Sequence, residues 1–205
     1  MGRSKKKTST TTTVAPQRTS AAQSMAAQLS DSESIIRLLK STSHTERIDA
    51  CNTLAAMVNP SYYSGMVACG CVDLLVNLIS DKMPSVAIAA AGAVRNICVE
   101  VGVVAAQSLA NTGLTNNLLA VLDFAEFALA NLEESGRVKK DCGMHWYYAS
   151  AADLSRLLSQ VFSILSSLCE ASEKAVSDFT AEQVKTNGKH LSFIMNNTIV
   201  TSNMT

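Results

Sequence analysis

The sequence predicts an all-α fold, a solenoid of stacked helix pairs behind a disordered amino-terminal tail. Three observations carry that expectation: an apolar content made mostly of Ala, Leu, Val and Ile, a block of helical periodicity that recurs 40 residues further on, and a first stretch too polar to bury anything. Of the 205 residues, 47% are hydrophobic and only 5% aromatic. That mixture suits close-packed helices better than sheets with bulky inward faces, and it is ample for the core of one domain. Lys plus Arg and Asp plus Glu each number 17. No net field therefore draws the chain to nucleic acid or to an anionic surface, and neither direct specific nucleic-acid binding nor membrane association is expected.

The first element in order is the tail, residues 1–29. A basic cluster of Arg3, Lys5, Lys6 and Lys7 leads into Thr/Ser repeats, then Pro16 and Arg18. Too little of it is apolar to offset the entropy of ordering, so it reads as disordered. The cluster reads either as a nuclear-localisation or RNA-phosphate patch or as a solubilising terminus. No Pro-Tyr dipeptide follows it, so the extended Pro-Tyr import signal is not visible in this tail.

The character changes at Ser30, and residues 30–180 read as the repeat region. Ser34-Ile35-Ile36-Arg37-Leu38-Leu39 is followed by a polar turn, 41–45, and then by an apolar-striped run, 46–58. Shifted by 40 residues the block recurs: Ile35 falls on Leu75, Ile36 on Val76, Leu38 on Leu78, Leu39 on Ile79, Ala50 on Ala90, Leu54 on Val94 and Met57 on Ile97. The first half of each block has apolar residues at i, i+1, i+3 and i+4 and the second at i, i+4 and i+7, one helical stripe apiece. Helix, short turn and helix at about 40 residues is the spacing of armadillo and HEAT repeats, whose units bury their faces only by stacking. A third copy is split. Leu114 to Leu122 repeats the first helix, but the partner of the second lies at Leu154 to Cys169, so about 31 residues are inserted. Asp123 to Leu132 reads as an extension of the preceding helix and about 133–152 as a loop, of a length that is more often functional than filler. Tyr62-Tyr63 after Pro60 reads as the turn between repeats, and the apolar run Ser85 to Ala106, with Arg95 and Glu100 on it, as one core helix.

The run Ser85-Val86-Ala87-Ile88-Ala89-Ala90-Ala91-Gly92-Ala93-Val94-Arg95-Asn96-Ile97-Cys98, together with Val161 to Phe179 containing Cys169-Glu170-Ala171-Ser172, resembles the symportin family of HEAT-repeat-containing proteins. The opening Met1-Gly2-Arg3-Ser4-Lys5 is similar to that family's basic start, and the likeness covers about residues 1–180, insertion included. The resemblance implies an adaptor that holds ribosomal proteins of the 5S particle and couples them to a transportin-type import receptor, moving between cytoplasm and nucleus. It also implies that the chain is the amino-terminal portion of a longer solenoid, because 181–205 reads as an irregular tail without a further repeat. The helix Leu154 to Cys169 would then expose an apolar face. Armadillo grooves often hold the backbone of an extended peptide with an Asn on the inner helix. Asn96 has that place, Arg95 is its neighbour, and Glu100, one turn on, is set to meet a basic side chain. The pattern departs elsewhere: Ala56 and Ser167 stand at the equivalent places, and Gly92 replaces the usual aromatic.

Little points to catalysis. His44, His145 and His190 have no nucleophile motif beside them, no Gly-rich phosphate loop is visible, and Cys69/Cys71 with Cys142/His145 do not make a zinc framework. The six cysteines fall mostly in apolar runs, where a free thiol packs as a small hydrophobe. The chain is expected to be no enzyme and to need no cofactor or metal. Trp146 and Tyr147, in the densest aromatic cluster, read either as an interaction anchor in the insertion or as side chains docked on the solenoid.

Overall fold

A computed structural model describes residues 32–132, 136, 149–186 and 188–194. Among the described residues there are ten helices and no strand. They are α1 (32–39), α2 (His44–Met57), α3 (Pro60–Ala68), α4 (Cys71–Leu78), α5 (Pro84–Val101), α6 (Val103–Ala110), α7 (Leu114–Ala130), α8 (Ala151–Ala171), α9 (Glu173–Lys185) and α10 (189–194). The solenoid of helical repeats is therefore present. Its unit, however, has three helices where the sequence reading has two.

The additional helix of each unit is short. Asn59 begins α3 by accepting the backbone N–H groups of Ser61 and Tyr62 at 3.0 Å each, and Pro60 fills the first helical position, where its missing N–H costs nothing. Tyr62 and Tyr63 thus lie within a helix and not in a turn, with Tyr63 buried. Likewise the run Ser85 to Ala106 is not one helix: Gly102, at φ +71°, ends α5 and starts α6, a conformation that glycine adopts without the Cβ penalty. The two complete units then superimpose in sequence at a displacement of 43 residues. Gly70 (φ +77°) matches Gly113 (φ +79°), each opening the second helix. Tyr63 matches Ala106, Met66 matches Leu109, Cys71 matches Leu114, Leu75 matches Leu118 and Ile79 matches Leu122, every one buried.

The long third helices form the spine. α5 packs between α2 on one side and α8 on the other, with α4 beneath it. The positions aligned by the repeat, Leu54, Val94 and Leu165, are 2%, 0% and 6% exposed. By length and composition α5 is apolar enough to cross a bilayer. Its packing accounts for that apolarity, because Val86, Ala90, Val94 and Ile97 are all enclosed by neighbouring helices. Side chains also tie one unit to the next. Asn96 Nδ2 donates to the Ala55 carbonyl and Asn117 Nδ2 to the Val76 carbonyl, both at 3.4 Å and both spanning 41 residues. Each accepting carbonyl belongs to the last turn of a helix, where intrahelical donors run out.

Several buried polar atoms among the described residues lack a hydrogen-bond partner, Thr115 Oγ1 among them. Thr115 is 1% exposed and its hydroxyl has no hydrogen-bond partner, whereas the matching position of the preceding unit is Val72. Thr115→Val keeps the shape and removes an unsatisfied hydroxyl, so it is expected to stabilise by about 1 kcal/mol. In a thermal melt that corresponds to a rise of roughly 2–4 °C, and an unchanged or lower midpoint would refute the assignment.

The inserted segment leaves α7 at Ala130 and enters α8 at Ala151, so Ala151 and Ala152 are helical and not loop. Ser150 and Asp153 form a reciprocal capping box, Asp153 N–H to Ser150 Oγ and Ser150 N–H to Asp153 Oδ2, both at 3.1 Å. The Ala151 N–H also donates to the Gly136 carbonyl at 2.9 Å, which brings the two ends of the insertion together.

The far end is covered, contrary to the expectation of an exposed apolar face on the last repeat helix. Helix α9 lies on α7 and α8, and Leu157, Val161, Ile164 and Leu168 of α8 are fully buried. Nor is the segment after 180 irregular throughout, since α9 continues to Lys185 and α10 follows. A polar latch fastens α10. Gln183 Oε1 accepts the Leu191 N–H at 3.0 Å, which turns its amide nitrogen toward His190 Nδ1 at 3.1 Å. The other ring nitrogen, Nε2, lies 3.1 Å from Asp123 Oδ1. Lys189 Nζ reaches Asp123 and Glu126 at 2.7 and 2.9 Å. Burial raises the Asp123 carboxyl, but the Lys189 hydrogen bond and the charge of that cluster outweigh it and hold the group below its ordinary value.

Candidate partner-binding surface

Stacking α2, α5 and α8 side by side leaves one continuous face of the third helices in solvent. On α5 the stripe runs through Ser85, the half-buried Ile88, Ala89 and Gly92, then the exposed Arg95, the half-buried Asn96, and the exposed Val99 and Glu100. Helical periodicity gives α2 the stripe Asp49, Asn52, Ala56 and α8 the stripe Arg156, Ser159, Ser163, Ser166, Ser167, Glu170. Three helices thus present small and polar side chains in parallel rows, with Asn52, Gly92 and Ser163 in one row and Ala56, Asn96 and Ser167 in the next.

Arg95, Asn96 and Glu100 are brought together on this face. Asn96 is more committed than its position in the sequence suggests, because its amide nitrogen is engaged with Ala55 across the α2–α5 seam. Its role in joining units is the one the structure displays, and its carbonyl oxygen is the part left for a partner. The serines of α8 are also partly engaged: Ser166 Oγ donates to Glu170 Oε1 at 2.8 Å and Ser167 Oγ to the Ser163 carbonyl at 3.1 Å. Gly92, half-buried on this face, leaves room above its Cα. A Cβ built there meets nothing within 4 Å, although a mid-helix glycine costs about 1 kcal/mol relative to alanine. Local packing gives no reason for that cost, whereas close approach of another backbone does.

Charge on the face is mixed, with Asp49, Glu100 and Glu170 set against Arg95 and Arg156. Beside it, at the α5–α6 corner, Val99, Val103 and Val104 are 58%, 58% and 68% exposed. This apolar corner was hidden in the sequence inside a run that reads as core, and Gly102 was the available signal. Trp146, Tyr147 and the basic residues Arg3, Lys5, Lys6 and Lys7 lie outside the described residues. Cys142 and His145 lie there too. Among the described residues no group of three or more His, Cys, Asp and Glu is placed to hold a metal ion.

Comparison with known families finds one armadillo/beta-catenin-like repeat, matched over residues 66–99. The match takes in the end of α3, all of α4 and nearly all of α5. No curated protein and no solved structure matches the chain.

Proposed function

We propose that this chain is a protein-interaction scaffold whose third-helix face receives an extended segment of a partner, and that it binds without performing catalysis. The observation that carries the reading is the continuous small-residue face of α2, α5 and α8 with unfilled space over Gly92. Extended segments suit such a face because they meet several stacked units at once, and a row of small side chains lets a foreign backbone come close. The armadillo repeat within 66–99 is consistent with it, since repeats of this kind generally mediate protein binding.

The finer reading is that the partner is a ribosomal protein of the 5S particle, carried between cytoplasm and nucleus with a transportin-type import receptor. Its support is the resemblance of residues 85–98 and 161–179 to the symportin family. Ribosomal proteins carry basic extensions that bind indiscriminately until covered, and Asp49, Glu100 and Glu170 supply acids for them. The alternative is an armadillo scaffold with no ribosomal cargo, which the offsetting Arg95 and Arg156 favour.

Gly92→Gln tests the face without disturbing the fold. The added side chain projects into open space and replaces glycine by a good helix former, so thermal stability is expected to hold or rise by up to about 1 kcal/mol. Capture of purified 5S-particle ribosomal proteins is expected to fall at least about tenfold, a loss of roughly 1.4 kcal/mol. If wild type captures neither those proteins nor the import receptor, the adaptor reading fails. If it captures them and Gly92→Gln does so equally well, the face is misassigned.

A further inference from the structure

The turn between α3 and α4 is Cys69-Gly70-Cys71, and it brings two thiols together. The Cys69 and Cys71 sulfurs lie 3.2 Å apart, against about 2.05 Å for a disulfide bond. Gly70, between them at φ +77°, supplies a turn that an ordinary residue rarely adopts. Both thiols also wall a cavity of about 210 Å³ between α1, α2 and α3, which Met57, Tyr62, Gly65 and Met66 help to line. A water-sized molecule needs about 30 Å³, so a small oxidant has room beside the pair.

The second unit shows that this turn does not need sulfur. At the displacement of 43 residues Cys69 matches Thr112 and Cys71 matches Leu114. The Thr112 hydroxyl donates to the Leu109 carbonyl at 2.7 Å, just as the Cys69 thiol donates to the Met66 carbonyl at 3.4 Å. An alcohol caps the helix there and an aliphatic chain fills the core. The same fold is obtained twice, once with a dithiol and once without one, so packing leaves the paired thiols of the first turn unexplained.

We propose that Cys69 and Cys71 are a redox modification site, closing to a reversible disulfide when the protein meets a peroxide. Cys69 is half-buried and Cys71 only 1% exposed, which assigns the first step to Cys69. Its thiolate attacks one oxygen of hydrogen peroxide, the O–O bond breaks, and hydroxide leaves as Cys69 becomes a sulfenic acid. Cys71 sulfur then attacks Cys69 sulfur. The S–O bond breaks, the departing hydroxide takes the Cys71 proton, and water is released. In sum two thiols and one peroxide give one disulfide and two waters. Burial, reinforced by the Cys69 hydrogen bond, pushes the Cys71 thiol up to about 12, in keeping with its role as the resolving partner that waits for the sulfenic acid. A disulfide spanning one intervening residue is strained, and strained disulfides are the readily reduced, regulatory kind.

The test is mass spectrometry on the full chain after titration with hydrogen peroxide. Chymotryptic cleavage after Tyr63 and Leu74 isolates Cys69 and Cys71 from all other cysteines. That fragment is expected to lose the mass of two hydrogens and to regain it with dithiothreitol, while Cys51 and Cys98, at 0% and 4% exposure, stay reduced. Cys69→Thr copies the sulfur-free turn. It is expected to melt like wild type and to show no disulfide. A Cys69 sulfenic acid that accumulates without loss of the two hydrogens would overturn the proposal, as would a wild-type fragment that remains a dithiol, or oxidation of Cys51 ahead of this pair.

Discussion

Val94→Asp is expected to abolish cooperative unfolding. Val94 is fully enclosed in the middle of α5, where that helix is held between α2 and α8. An aspartate there exchanges a packed aliphatic side chain for a carboxylate with no partner. Lost burial of the valine is worth about 1.5–3 kcal/mol. Charge burial adds several more, or else the group takes up a proton and remains an unsatisfied polar atom. The sum approaches the 5–15 kcal/mol that a whole domain of ordinary stability possesses. The neighbouring Arg95→Glu alters charge one residue away on the exposed face and is expected to stay within about 0.5 kcal/mol of wild type. Urea denaturation followed by circular dichroism reads both. A Val94→Asp protein with a wild-type transition would refute the alignment of Leu54, Val94 and Leu165 as one layer of the core.

That alignment was legible because burial imposes the same apolar spacing on every copy. Leu39 with Ile79, Ala50 with Ala90 and Leu54 with Val94 all recur in sequence at 40 residues and all are buried. The short first helices were not legible by the same means. α3 and α6 have 9 and 8 residues, two turns each, and α6 continues the apolar pattern of α5 across Gly102 without a polar break. Their signals are turn chemistry: Asn59-Pro60 at one start, Gly102 at the other, and the glycines at 70 and 113 that follow. The capping pair Ser150 and Asp153 marks the start of α8 in the same way. At the candidate face, helical spacing suffices to put Arg95, Asn96 and Glu100 together. It does not convey that the Asn96 amide reaches Ala55, because that contact arises only when α2 and α5 are side by side. Nor does it reveal the space over Gly92, which depends on what neighbouring helices leave uncovered.

Asp81→Ala is the second large effect, and it tests how the units are joined at their turns. Arg47, near the start of α2, extends its guanidinium to the turn between α4 and α5, where one Nη meets Asp81 Oδ1 at 2.9 Å. The other Nη donates to the carbonyls of Ser41 and Thr42 at 2.8 and 3.2 Å. Asp81 Oδ1 also accepts the Met83 N–H at 2.9 Å, just ahead of α5. One ion pair therefore connects the α1–α2 turn to the α4–α5 turn. The two side chains are only 13% and 11% exposed, so neither water nor salt takes over readily when one is removed. Truncating one partner of such a pair leaves a sheltered charge behind and costs 3–5 kcal/mol in deeply buried cases. Residual exposure of Arg47 places Asp81→Ala at the lower end, about 3 kcal/mol, a fall of roughly 6–12 °C in melting temperature for a chain of this size. Asp81→Asn retains an acceptor for Met83 while losing the charge, and is expected to cost about half as much. Arg47→Ala combined with Asp81→Ala should be less damaging than the sum of the two, with a coupling of about 1–3 kcal/mol. Strict additivity in that cycle would show that the two turns are held in register by packing alone.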